Sequence, residues 1–258
     1  MVSMTIIPQD IIRDILCRLP TETLARFRNL HKDYTLLVLN LTTKDYVELP
    51  ISSKKQFYGM KGFGYNSVSD NYKVVTKPCV NEYSRNVYVY NLRTNTGKQV
   101  SHSPYDLNDK SWLAGVFVNG FLHWIFSRQS KPIIVAFSLA DESFSELASP
   151  NLYNETKLVA LGEKLAIFNE VKGDIWLMNE YGVQKSWTKI VVHAFKEIPM
   201  VRPKVFYDNG KVLLLTPDLL RIYDVEEQTF CKSYDISYMN ICYFISAYAE
   251  SLVSPKFS

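Results

Sequence analysis

Five copies of one pattern divide this chain and limit the folds open to it. An aromatic or aliphatic strand, a polar turn and a second short strand recur as LVLNLTTKDYVELP from Leu37, VYVYNLRTNTGKQV from Val87, IVAFSLADESFSEL from Ile134, IWLMNEYGVQKSWTKI from Ile175 and LRIYDVEEQTFCKS from Leu220. Aligned on Asn40, Asn91, Ser138, Asn179 and Asp224, the copies lie 51, 47, 41 and 45 residues apart. A period of that size belongs to repeated sheet units, each burying its apolar face only against its neighbours.

A second element separates successive copies, as in GVFVNGFLHWI, LVALGEKLAIF and VFYDNGKVLLL. Asn119-Gly120 and Asn209-Gly210 are two-residue hairpin turns by sequence, since both central residues need positive φ. Each repeat therefore supplies two hairpins, enough for one four-stranded blade. The Asn, Asp and Thr residues of the turns read as turn formers, Trp124, Trp176 and Trp187 as blade core, and His123 as a structural or surface histidine. No G-x-S-x-G, H-E-x-x-H, Walker loop or strand-flanked G-x-G-x-x-G occurs, so binding is favoured over catalysis.

Ahead of the repeats, IIPQDIIRDILCRLPTETLARFRNL over residues 6 to 30 has helical spacing. Ile12, Ile15, Leu16 and Leu19 fall on one helical face; Pro8 suits the first turn and Pro20 ends the helix. Thr21 caps a second helix with Leu24, Phe27 and Leu30 as its apolar stripe, and Tyr34, Leu37 and Val38 could extend it into a short third. So short a helical pair must cover its apolar face with the following domain or with another protein.

The remaining composition narrows the function classes. A net charge of +3 is spread along the 258 residues without a basic block, which argues against nucleic acid. Cys17, Cys79, Cys231 and Cys242 form no C-x-x-C pair, so neither a metal site nor a disulfide framework is expected, and no cofactor motif is present. Charged residues interrupt the first helix and no apolar run approaches the roughly 20 residues of a membrane span, so a cytoplasmic or nuclear protein is expected.

IPQDIIRDILCRLPTETLARFRNLHKDYTLLV resembles the F-box, with its early Pro, I-L-x-R-L-P centre and L-x-R-F-R helix. FGYNSVSDNYKVV, GVFVNGFLHWI, DIWLMNEYG with SWTKI, and ESLVSP are similar to the plant F-box-associated interaction domain. The resemblance implies a substrate-recognition subunit of a Skp-cullin-F-box ubiquitin ligase and no enzyme activity of its own. Its Skp-type adaptor interface would lie among Pro8, Ile11, Ile12, Ile15, Leu16, Leu19, Pro20, Leu24 and Phe27, and its β domain would hold a protein target. Tyr34 stands where the family usually has Trp, and the F-box-like segment runs at Val38 almost directly into the associated domain. The expected architecture is mainly β with a short α-helical N-terminus: a truncated F-box hairpin over residues 1–38, then a partial, kelch-like β-propeller over residues 39–258. Two other readings stay open: an adaptor-independent interaction module or degenerate F-box family member, and a propeller hydrolase or glycan-binding domain.

Overall fold

The computed structural model describes residues 37–39, 46–49, 59–78, 86–102, 114–153, 156–169, 174–192, 201–206, 210–216 and 218–235. The helices expected over residues 6 to 34 lie outside these. The chain divides into two compact units, one of residues 21–148 and 250–258, the other of residues 1–20 and 149–249.

The first unit holds a two-stranded sheet, β1 (Leu37–Leu39) and β2 (Tyr46–Glu48), and two four-stranded antiparallel meanders. These are β3 (Gly59–Asn66), β4 (Asn71–Pro78), β5 (Asn86–Asn91) and β6 (Thr96–His102), then β7 (Val116–Val118), β8 (Phe121–Arg128), β9 (Lys131–Ser138) and β10 (Phe144–Leu147). The second unit holds two more: β11 (Thr156–Leu161), β12 (Lys164–Asn169), β13 (Asp174–Met178) and β14 (Trp187–Val191), then β15 (Arg202–Phe206), β16 (Lys211–Leu215), β17 (Leu219–Asp224) and β18 (Thr229–Asp235). Each meander is the blade of a propeller-like fold, and each of the last four sequence copies forms its third and fourth strands. Leu37 and Val38 are strand, not the third helix that their spacing allowed: Val38 is wholly buried with Val74, Tyr90 and Leu92, so packing overrides helical spacing.

Alternation along the strands explains the layering. Val75, Val87 and Val89 on one face of the β3–β6 sheet meet Leu122, Trp124, Phe126, Val135 and Phe137 of the β7–β10 sheet, while Val74, Tyr90 and Leu92 on its other face meet β1–β2. In the second unit Leu161, Phe168, Ile175 and Leu177 pack on Val212, Leu214 and Tyr223.

The repeat marker explains its own recurrence. Asn91 accepts the Thr94 N–H at 3.2 Å, Ser138 Oγ the Asp141 N–H at 3.1 Å, and Asp224 the Glu226 and Glu227 N–H groups at 3.1 Å each. The following residue in these three sheets, Leu92, Leu139 or Val225, donates its N–H to Tyr72, Gly120 or Gly210. The marker thus opens the turn between third and fourth strands. Asn119 and Gly120 have φ of 53° and 80°, the expected hairpin geometry, whereas Gln129 and Ser130 reach 48° and 62° without glycine. Replacing Gln129-Ser130 with Asn-Gly should raise stability by about 1 kcal/mol, read from the urea midpoint.

Candidate functional site

In a meander the first-to-second and third-to-fourth turns leave one end of the sheet together. In the first unit that end carries residues 67–70, 92–95, 119–120 and 139–143, and its polar groups form one linked set. Lys73 Nζ, with its side chain 7% exposed, donates to the Leu139 carbonyl at 2.7 Å and to Glu142 Oε1 at 2.9 Å. Lys98 reaches Glu142 Oε2 at 2.8 Å from a largely exposed position. Burial alone would raise the Glu142 carboxyl, but hydrogen bonds and charge from Lys98 and Lys73 outweigh it and hold the carboxyl below its usual range. Asn66 adds a second donor to the Leu139 carbonyl at 3.0 Å while accepting the Val68 N–H.

This bracing fixes a surface. The β3–β4 turn lifts Val68 into solvent, 82% exposed, and also carries Asp70, which accepts from Tyr65 and lies 3.8 Å from the Arg93 guanidinium. The Arg93 N–H in turn donates to Asn71 Oδ1. An exposed apolar side chain on a turn to which a tyrosine and an arginine are tied suits protein contact, where tyrosine and arginine are the enriched residues.

The corresponding turns of the second unit are braced in the same manner. Between β13 and β14, Ser186 Oγ lies 2.8 Å from both the Glu180 and Val183 carbonyls, which share its one proton, and Asn179 Nδ2 donates to Thr188 Oγ1 at 2.7 Å. Glu180, Val183, Gln184 and Lys185 are left exposed, while burial raises the Tyr181 phenol. Lys211 pairs with Asp224 at 2.5 Å, a bond that lowers the Asp224 carboxyl and raises the Lys211 ammonium.

His123 is buried, not a surface group: its Nδ1 donates to the Val116 carbonyl at 2.9 Å, and burial lowers its pKa to about 4 against the smaller opposing effect of that bond. The native imidazole is therefore neutral where the unfolded one, with a pKa near 6.5, takes up a proton. Stability should be unaffected above pH 6.5 and fall by about 3 kcal/mol between pH 6.5 and 4, and His123→Gln should flatten that part of a urea-midpoint pH profile. Trp124 is core as expected and Trp187 is buried, whereas Trp176 is only half-buried, with Lys189 Nζ 5.9 Å from its ring centre. Among the described residues no three His, Cys, Asp or Glu side chains converge as metal ligands, and Cys231 is an exposed free thiol. The nine residues Pro8, Ile11, Ile12, Ile15, Leu16, Leu19, Pro20, Leu24 and Phe27 lie outside the described residues.

Residues 27–255 match the model of the F-box associated beta propeller domain. The chain belongs to that family. The F-box associated chain is 28% identical to F-box protein CPR1 of Arabidopsis thaliana, over 66% of its own length and 49% of the relative's. It is 28% identical to the Arabidopsis F-box protein At4g22390, over 83% and 60%, and 28% identical to the Arabidopsis F-box/kelch-repeat protein At3g23880, over 76% and 56%. It thus spans about half to three-fifths of the length of these relatives. The segment FGYNSVSDNYKVV carries no local signal for the role of Lys73, because its partner, Glu142, lies 69 residues away.

Proposed function

We propose that this chain is a substrate-recognition subunit of a Skp-cullin-F-box ubiquitin ligase. The match over residues 27–255 to the F-box associated domain, preceded by the F-box spacing of Pro8, Ile15, Leu16, Leu19 and Pro20, carries this reading. In it, residues 1–38 form the F-box, and Pro8, Ile11, Ile12, Ile15, Leu16, Leu19, Pro20, Leu24 and Phe27 supply an apolar interface to a Skp-type adaptor, whose cullin brings the ubiquitin-transfer machinery. Residues 39–258 hold a protein target on the braced turns around Val68 and Arg93. The chain positions a target and performs no bond chemistry itself, and it works in the cytoplasm or nucleus. Leu16→Asp should abolish co-precipitation of adaptor and cullin with the β-sheet circular dichroism unchanged. Val68→Asp with Arg93→Glu should leave that co-precipitation intact. Retention of the cullin by Leu16→Asp would refute the assignment.

One observation favours a second reading, an adaptor-independent interaction module. β1 begins at Leu37, ten residues after Phe27, which leaves little chain for a full third F-box helix. In that case the N-terminal segment caps the β domain, and Leu16→Asp unfolds the chain.

A further inference from the structure

Arg93 and Arg128 are both more than half exposed, and each reaches a carboxylate, Asp70 or Glu146. Arg221 on β17 is less exposed, yet among the described residues its side chain makes no ion pair or hydrogen bond, and its Nε is buried without an acceptor. A cation so placed has lost part of its hydration and gained no counter-charge. The guanidinium is nevertheless held in position. Its Cζ lies 4.8 Å from the Phe230 ring centre, Phe230 packs edge-on against Tyr223, and the Tyr223 hydroxyl donates to Gln228 Oε1 at 2.8 Å. Gln228 Nε2 donates to the Val191 carbonyl at 3.2 Å, so this series of contacts ends on β14, in the neighbouring sheet of the same unit. An aromatic ring attracts the charge through one face of the guanidinium and leaves the in-plane N–H donors unused.

We propose that Arg221 receives a carboxylate of an acidic peptide segment, with the Ser233 hydroxyl as a second donor. Burial of Nε leaves the two Nη groups as the reachable donors, and the two oxygens of a planar carboxylate match that pair. Ser233 is exposed and stands directly opposite Arg221 in the β17–β18 register, on the same face of the sheet. The charge balance selects a carboxylate over a phosphate. A phosphate carries about two negative charges and calls for a second cation, but Lys232, the residue before Ser233, falls on the opposite face by strand alternation. The site goes beyond the ligase reading, since it requires neither the adaptor nor the turns around Val68.

The test is titration of the full chain into a fluorescein-labelled tetraglutamate peptide, followed by anisotropy, with the tetraglutamine peptide as neutral control. Saturable binding of the acidic peptide alone is expected. Arg221→Met, which removes the charge, and Arg221→Lys, which removes the fork, should each weaken it at least about tenfold, while Lys232→Met changes it less than about twofold. Without peptide, Arg221→Met should melt no lower than the parent chain, because it deletes a charge that has no counter-charge. Absence of binding by the parent, or equal weakening by Lys232→Met, would overturn the proposal. A sharp fall in the melting temperature of Arg221→Met would show that the guanidinium is already paired within the chain and overturn it too. Displacement of the peptide by an equal concentration of inorganic phosphate would assign the site to a free oxyanion and overturn the carboxylate assignment.

Discussion

Glu142→Ala is expected to lower the unfolding free energy by about 3 kcal/mol, read from urea denaturation followed by tryptophan fluorescence. The carboxylate is shared by Lys73, whose side chain is only 7% exposed, and Lys98, whose side chain is 67% exposed. Without it Lys98 turns to water, but the largely buried Lys73 is left with the Leu139 carbonyl as acceptor. The reverse change should be milder. Lys73→Met leaves Glu142 paired with Lys98, and the Leu139 carbonyl still accepts from Asn66, so about 1 kcal/mol is expected. Equal losses in the two variants would show that the pair, rather than the stranded lysine, sets the effect. Because the β9–β10 turn is held by this carboxylate, the alanine variant should also loosen the surface proposed to meet the target.

Gly64→Val should destabilise by at least about 3 kcal/mol, beyond the usual range for overpacking. A Cβ at Gly64 would lie 2.1 Å from Phe117 Cδ2 and 2.8 Å from Leu139 Cδ1, and one at Gly62 would lie 2.7 Å from Leu122 and 2.8 Å from Trp124. These glycines let β3 approach β7 and β8 closely enough for the Gly115 N–H and the Trp124 indole to donate to the Lys61 carbonyl at 2.6 and 3.2 Å. Gly120→Ala provides the contrast. Nothing lies within 4 Å of its Cβ, but a φ of +80° strains any side chain, so a loss of about 1 kcal/mol is expected. Equal thermal midpoints for Gly64→Val and Gly120→Ala would refute the close-packing account.

The sheets were legible in the sequence where local chemistry repeats. Asn91, Ser138, Asn179 and Asp224 mark the third-to-fourth strand turns because their side chains satisfy nearby turn groups, so spacing alone located the blades. The first inner hairpin, β3–β4, was less visible: Gly59, Gly62 and Gly64 weaken its strand signature, and the use of Gly62 and Gly64 in close packing emerges only in three dimensions. His123 between Leu122 and Trp124 could be read as structural, but whether it faced solvent or core depended on its register with Val116. Pairs such as Lys73 with Glu142 and Lys73 with Leu139, 69 and 66 residues apart, leave no local pattern. The F-box-like spacing has the opposite character: it is readable from residues 8 to 27 alone.

Titration calorimetry of the full chain against a purified Skp-type adaptor bears most directly on the proposed role. One-to-one binding with a dissociation constant of about 1 μM or tighter is predicted, weakened at least a hundredfold in Ile15→Asp with the β-sheet signal intact. A folded chain that gives no binding heat and no adaptor co-elution, beside a full-length F-box relative that does bind, would contradict it.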